Sequence, residues 1–362
     1  MDLKEKAKGL PSCPGVYLMK DSLNNVIYVG KSKNLKNRVS SYFQNSKSHT
    51  PKVVKLVKNL KDFDYITTDT EFEAFILECK LIKEIKPLYN KLMKSPKSYC
   101  YIRIKFKEKH PYIELSSEYS KDDDGVYFGP YTNKNTVERA IQGIKEYFKI
   151  LCTNNSQKDS YCLNYSLGLC IGMCLDKTSK EKYFDIFNKV VNLFNGTDKS
   201  IIERMEFNMN SSSEKFDFEK AIKYRDYLTS INYIIDKVKV VEYTEENKNI
   251  ALLEYLNDDM IKFFLIKGNK IFFNEKYILK DFDVEKLKHI LKNNILLYFN
   301  DKSLNDSIEV GRDEIDESQI IYTYLESKSN DCRYVIISEK WLKDINDIDF
   351  DHEINNLLIV ES

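Results

Sequence analysis

Two short apolar runs, Gly15-Val-Tyr-Leu-Met and Val26-Ile-Tyr-Val, flank the polar stretch Asp21-Ser-Leu-Asn-Asn. Strand residues on either side of turn chemistry predict a β-hairpin over residues 10–30. The period then lengthens. Over Asn34–Phe43, Leu35, Val39 and Tyr42/Phe43 share one helical face, with Arg38 four residues before Tyr42. Residues 51–60 continue as a Lys-studded helix, and Asp64-Tyr-Ile-Thr-Thr as a strand. Thr70 and Glu73 form a capping-box pattern that opens a helix over 71–86. Its apolar stripe is Ala74, Leu77 and Leu81 with Phe75 and Ile82, and Pro87-Leu-Tyr-Asn90 ends it. Glu78 falls inside or beside that stripe.

Beyond residue 98 the pattern predicts short strands over 99–131, a helix over 135–150 and another over 181–195. Residues 199–209 and 216–238 read as an αα-hairpin joined by Asn210-Ser-Ser-Ser. Phe218, Ala221, Arg225, Leu228, Ile231, Ile235 and Val238 recur along its second arm at roughly 3.5-residue spacing. Strand patterns at Ala251–Tyr255, Ile261–Lys267 and Lys270–Phe273 suggest a meander, with a late strand at Arg333–Ser338. The Asp-rich end, with Asp347, Asp349 and Asp351, reads as a solvated acidic tail.

The chain has 362 residues, 42% apolar and 31% charged, enough apolar residues for packed cores and, at about 150 residues per domain, for two or three of them. It has neither an apolar run long enough to span a bilayer nor an apolar stretch after Met1, so a cytoplasmic protein without membrane contact is expected. Neither glycine-rich nucleotide-binding fingerprint occurs, and no nucleotide is expected to be bound by this chain. The zero net charge hides an asymmetry. Residues 1–100 hold 19 Lys/Arg against 10 Asp/Glu, whereas the last 62 residues hold 6 against 16. A basic N-terminal module suits phosphate contact, or is a Lys-rich solvated surface.

Two constellations carry candidate chemistry. The first is Gly15-Val-Tyr17 with Tyr28-Val-Gly30, then Lys31, Arg38, Tyr42, Glu78 and Asn90. A semi-buried carboxylate beside Lys and Arg is either a structural ion pair or a ligand for a hard cation such as magnesium. The second is Cys152-x9-Cys162-x7-Cys170-x3-Cys174, four of the eight cysteines within 23 residues. Four thiolates suit a tetrahedral zinc or an iron–sulfur cluster; unliganded buried cysteines are the plain alternative.

Together these residues resemble the GIY-YIG nuclease signature. Pro14-Gly-Val-Tyr, Val26-Ile-Tyr-Val-Gly-Lys, Ser40-Ser-Tyr-Phe and Phe128-Gly-Pro-Tyr131 narrow the resemblance to the UvrC family of excinucleases. It extends to about residue 340. The resemblance implies an α+β multidomain protein. A GIY-YIG α/β sandwich with a small mixed or antiparallel sheet would span 1–98, and a linker with a four-cysteine metal-binding domain 99–198. A UVR-like helical hairpin would span 199–240. An α/β domain over 245–362 would correspond to the family's middle region or to an RNase H-like remnant.

It also implies roles. Glu78 would hold Mg2+ or Mn2+, and Lys31 and Arg38 the scissile phosphate. Tyr17 or Tyr28 would help activate water, Tyr42 would assist at the phosphate, and Asn90 would tie the site together. The four cysteines would carry a 4Fe–4S cluster, with zinc the alternative. Phe218, Ala221, Arg225 and Leu228 would contact UvrB, with UvrA upstream, on damaged double-stranded DNA. The pattern matches a short, Cho-like form of the family, without the second nuclease and helix-hairpin-helix domains, making only the 3′ cut. The alternatives are a non-catalytic paralogue that regulates repair through UvrB, and a GIY-YIG nuclease of a mobile or restriction system.

Overall fold

The computed structural model describes residues 2–44, 50–106, 111–122, 124–151, 163–172, 177–300, 308–327, 332–344 and 347–358. The chain divides into two compact units, one of residues 1–95 with 243–362 and one of residues 96–242. The four segments read from the sequence therefore gather in pairs, each pair around shared apolar cores.

In the first unit, α1 (Leu3–Lys8) precedes the hairpin of β1 (Gly15–Lys20) and β2 (Val26–Ser32). Asp21 accepts from the backbone N–H groups of Leu23 and Asn25 at 2.9 Å, and Asn24 takes the left-handed conformation that closes the turn. Next come α2 (Leu35–Ser41), α3 (Pro51–Asn59) and β3 (Asp62–Thr67), which pairs with the other side of β1. All pairings are antiparallel. Alternation along β1 sends Tyr17 and Met19 into a core with Leu35, Val39, Leu56 and Phe63, and Val16 and Leu18 toward α4 (Glu71–Ile85). The capping box of α4 forms as the sequence suggests, with both Thr70–Glu73 bonds at 3.1 Å. The helix ends at Lys86 in the left-handed region, just before Pro87.

The rest of this unit is built on β7 (Asn249–Asn257), β8 (Met260–Lys267), β9 (Lys270–Ile278) and β10 (Cys332–Ile337). Their order is β10-β7-β8-β9, with antiparallel pairings throughout. One face, with Ala251, Leu253, Phe263 and Leu265, packs on α10 (Val284–Phe299) and α13 (Ile348–Leu358), beside α12 (Glu339–Lys343). The other face, with Ile250, Leu252, Phe264 and Ile266, is covered by α11 (Ile315–Glu326) and by α4. Helix α4 thus lies between two sheets. Ala74, Leu77, Leu81 and Ile82 meet the first, and Phe72, Phe75, Ile76 and Cys79 the second.

The Asp-rich end is not a solvated tail. Phe350, Ile354 and Leu357, at helical spacing on α13, are buried, while Asp351 pairs with Lys292 and Asp347 with Lys340.

The second unit contains β4 (Cys100–Lys105), β5 (Tyr112–Ser116) and β6 (Val126–Tyr131) in the order β5-β4-β6. Its helices are α5 (Lys134–Tyr147), α6 (Leu163–Ser166), α7 (Lys177–Phe194), α8 (Ser200–Glu214) and α9 (Phe218–Glu245). Ile102, Ile104, Ile144, Val190, Phe194, Met205 and Ile231 share one core. Asn210-Ser-Ser-Ser does not form the hairpin turn. Packing of the buried Met205 and Ser212 carries α8 through these weak helix formers. The turn is Lys215-Phe216-Asp217, with Phe216 at φ 60° and Asp217 accepting from Lys220 N–H at 3.2 Å. Among the described residues, no helix is long and apolar enough to cross a membrane.

Phe72 is fully buried, stacked on Tyr324 at 4.4 Å and edge-on to Phe264 at 5.4 Å. Phe72→Ala is expected to cost about 3–5 kcal/mol in urea unfolding, because the cavity opens where α4 meets the second sheet.

Candidate active site

The register of the first hairpin sets the tyrosines. Tyr17 pairs with Gly30, so Tyr28 and Gly30 share its face, and the Tyr17 and Tyr28 rings lie 6.1 Å apart. A Cβ on Gly30 would fall on the Tyr17 hydroxyl and ring, which is why glycine stands there. Helix α2 and the residue that caps its C-terminus supply the next two groups. The Tyr17 and Tyr42 hydroxyls are hydrogen-bonded at 2.8 Å, Arg38 Nε donates to Tyr17 at 3.4 Å, and the guanidinium lies over the Tyr42 ring at 5.2 Å. Arg38 and Tyr42 sit four residues apart, one turn of helix.

From the other side, α4 presents Glu78. Its Oε1 accepts from the Lys31 backbone N–H at 3.1 Å. Asn90, 8% exposed, receives Val29 N–H on its Oδ1 at 3.0 Å and donates from Nδ2 to Val29 O at 2.9 Å. It pairs with edge strand β2 as a neighbouring strand would, fixing the backbone between Tyr28 and Lys31. Tyr17, Tyr28, Lys31, Arg38, Tyr42, Glu78 and Asn90 therefore converge on β2 and its two flanking helices.

The electrostatics follow from burial. Desolvation, reinforced by Tyr42 and Tyr28, holds the Tyr17 hydroxyl well above its ordinary pKa. Tyr28 is pushed up to about 12 by burial and by the nearby Tyr42 and Glu78. Both are neutral donors at neutral pH. Burial alone would lower Arg38, but the surrounding tyrosines raise it. Burial raises Glu78 above the ordinary carboxylate value, opposed by the Lys31 N–H and the Lys31 and Arg38 charges.

Glu78 makes no ion pair among the described residues, and its second oxygen has no hydrogen-bond partner there. A hard cation takes one or two carboxylates and fills its shell with water and phosphate oxygens, and this carboxylate fits that demand.

Three neighbours were not read from the sequence. Lys31 Nζ donates to Glu71 at 2.7 Å and rests 3.5 Å from the centre of the Phe75 ring. Lys52 of α3 stands over Tyr28 at 5.4 Å. Glu71 and Glu78 are seven residues apart and so share a helix face, a signal present in the sequence.

Of the four clustered cysteines, Cys152, Cys162 and Cys174 lie outside the described residues. Cys170 is buried, and its Sγ accepts from Gly172 N–H at 3.4 Å. On the hairpin, Phe218 and Arg225 are exposed and Ala221 is half-buried. Leu228 is not available to a partner: it packs in the core of its own unit, because α9 turns that face inward from Tyr227 onward. The exposed apolar residues near the hairpin tip are Phe207, Phe216, Phe218 and Ile222. Phe216 and Ile222 are within two residues of the sequence-derived seam, and Phe207 lies on the opposite arm.

This fold and site define a GIY-YIG module. Three family models match in succession: a UvrC-like GIY-YIG domain over residues 13–91, the UvrC/Cho excinuclease middle domain over 99–193 and the UvrB/UvrC motif over 199–234. UvrABC system protein C of Clostridium perfringens is 35% identical over 345 residues, which are 94% of this chain and 56% of that protein. The Clostridium tetani protein of the same name is 40% identical over 285 residues, 77% of this chain and 46% of that one. The chain belongs to the UvrC family. It spans about half the length of the curated relatives it matches. The GIY-YIG N-terminal endonuclease domain of UvrC from Thermotoga maritima, solved with its catalytic magnesium, is 38% identical; the match covers 25% of this chain and 96% of that one, with a TM-score of 0.23.

Because the Tyr17 ring occupies the space above Gly30, Gly30→Ala is expected to destabilise the protein by about 1–3 kcal/mol through overpacking. Thermal unfolding beside the wild type checks this.

Proposed function

We propose that this chain is a divalent-metal-dependent DNA endonuclease of nucleotide excision repair, nicking one strand on the 3′ side of a bulky lesion. The observation that carries this reading is the convergence of Tyr17, Tyr28, Arg38 and Tyr42 with Glu78 and Lys31 around one strand. Arg38 and Lys31 bind the scissile phosphate and offset the charge it gains. Lys31 exchanges its Glu71 partner for phosphate as DNA arrives. Tyr28, the less buried of the two motif tyrosines, stays protonated and positions the attacking water by accepting a hydrogen bond on its hydroxyl oxygen, while the proton of that water passes to solvent. Tyr17, 1% exposed and tied to Tyr42 and Arg38, orients them. Glu78 would hold Mg2+ or Mn2+, which when bound would supply the charge that polarises the phosphate and stabilises the leaving oxygen.

UvrB brings the chain to the lesion, with UvrA acting upstream. The exposed apolar tip formed by Phe216, Phe218 and Ile222 supports this role. Wide aromatic area without a partner marks an interaction site. A regulatory paralogue that binds UvrB without cutting is the competing reading; nothing in the site favours it.

Glu78→Gln is expected to lower incision of a duplex carrying one bulky adduct by about a thousand-fold or more, while UvrB binding stays unchanged. A variant that still nicks removes Glu78 as metal ligand. A wild type that binds UvrB without nicking establishes the regulatory paralogue.

The four cysteines hold a 4Fe–4S cluster, zinc being the alternative. Their spacing suits either group, the family resemblance favours the cluster, and the Gly172 N–H directed at Cys170 Sγ is a backbone donor of the kind that tunes such clusters. Protein purified without air is expected to be brown and to absorb near ~400 nm. A colourless protein with one zinc would establish the alternative.

A further inference from the structure

Residues 243–362 lie outside all three matched family models, yet one face of their sheet packs on the helix that carries Glu78. The contact is charged at both ends. At the first turn of α4, Lys262 of β8 bonds Asp69 Oδ2 and Glu73 Oε1, each at 2.9 Å, with its side chain only 7% exposed. Lys276 of β9 reaches Asp69 Oδ1 at 2.6 Å. At the last turn, Lys83 pairs with Glu317 of α11 and lies 3.8 Å from Asp316. Between these ends Phe72 stacks on Tyr324, and Cys79, next to Glu78, donates from Sγ to Glu317 at 3.4 Å. Phe75 joins the same core and carries Lys31 on its ring.

The first sheet meets α4 through aliphatic packing and through Lys31, which takes the Glu71 carboxylate on its side chain and the Glu78 carboxylate on its backbone N–H. Paired charges at opposite ends, acidic at the first turn and basic at the last, add a restraint along the helix axis. Both ends are held by one rigid sheet and its helix.

We infer that the domain of residues 243–362 is a positioning element of the nuclease site, with Lys262 and Glu317 as positioning residues. They fix α4 along its axis so that the Glu78 carboxylate meets the Lys31 N–H. This rests on the reading of Glu78 as a metal ligand, and it gives a function to a segment that the family models leave unassigned.

The test uses the full chain and Mn2+ as the probe, titrated by electron paramagnetic resonance, with nicking measured on the same preparations. Glu78→Gln defines binding at that site. Lys262→Met and Lys83→Glu are each expected to weaken Mn2+ binding at Glu78 by about ten-fold or more, as loss of a ligand's supporting contacts does. They should lower kcat while KM for DNA stays the same. The charge swap K83E/E317K is expected to restore Mn2+ affinity to within about three-fold of the wild type, a coupling that general destabilisation does not produce. Single variants with wild-type Mn2+ affinity overturn the inference, as does a swap no better than Lys83→Glu. Mn2+ binding that is lost in Glu78→Gln and weakened in the other single variants, with no nicking by any protein, sustains the inference and overturns the nuclease reading alone. A wild type that binds no Mn2+ overturns both.

Discussion

Helix α4 is buried on two sides at once, and the position of every group around Glu78 depends on how those two sides are satisfied. The first sheet offers it Val16, Leu18 and Val29, and the second offers Ile250, Leu252, Phe264 and Ile266. A helix so enclosed exposes a narrow strip, and polar groups on that strip are held in a partly desolvated setting. Glu71 and Glu78 occupy it. Their separation of two helical turns puts one carboxylate at the Lys31 side chain and the other at the Lys31 backbone. The site is thus a consequence of packing as much as of chemistry.

The opposite side of β2 obeys a different constraint. There the Tyr17 hydroxyl and the ring carbon that bears it take the space a side chain at Gly30 would need, and the hydroxyl reaches Tyr42. Arg38 completes a cluster in which the hydroxyl of Tyr17 and the ring of Tyr42 lie against one guanidinium, with Tyr28 beside them. The cation keeps its full charge for an anionic ligand, since no carboxylate pairs with it among the described residues. Lys31 is arranged differently: it carries Glu71 as a resting partner. Among the described residues, one cation is without a carboxylate partner and the other is engaged.

Much of this is legible in the chain alone. The hairpin, the capping box and the helix over 71–86 follow from local rules of turn chemistry and end-capping, and the candidate site residues come from the family resemblance that their motifs carry. Local rules are weaker where a feature depends on what lies across from it. The stripe on α4 reads as one face that includes Phe75. In the structure Phe75 belongs to a second face, with Phe72, Ile76 and Cys79, that a distant sheet covers. The serine-rich stretch looks like a turn but is helix, because Met205 and Ser212 are anchored in a core assembled from other elements. The acidic end looks solvated but is an amphipathic helix whose three apolar residues need a sheet face to hide them.

The sequence by itself determined the family resemblance and the candidate site residues that its motifs imply. Glu78 is legible as a carboxylate in or beside an apolar stripe, and the spacing from Tyr17 to Asn90 is a property of the chain alone, whereas the lack of room for a side chain at Gly30 is seen only in the structure. Tertiary structure decided which segments belong together. Residues 1–95 and 243–362 form one unit although residues 96–242 separate them in the chain, and Leu228 faces a core rather than a partner. The reason is physical. Periodicity records that a face is apolar and must be buried, but a face carries no label for the surface that buries it. That choice is made by shape and charge across the interface, here by Lys262 and Glu317 at the two ends of α4.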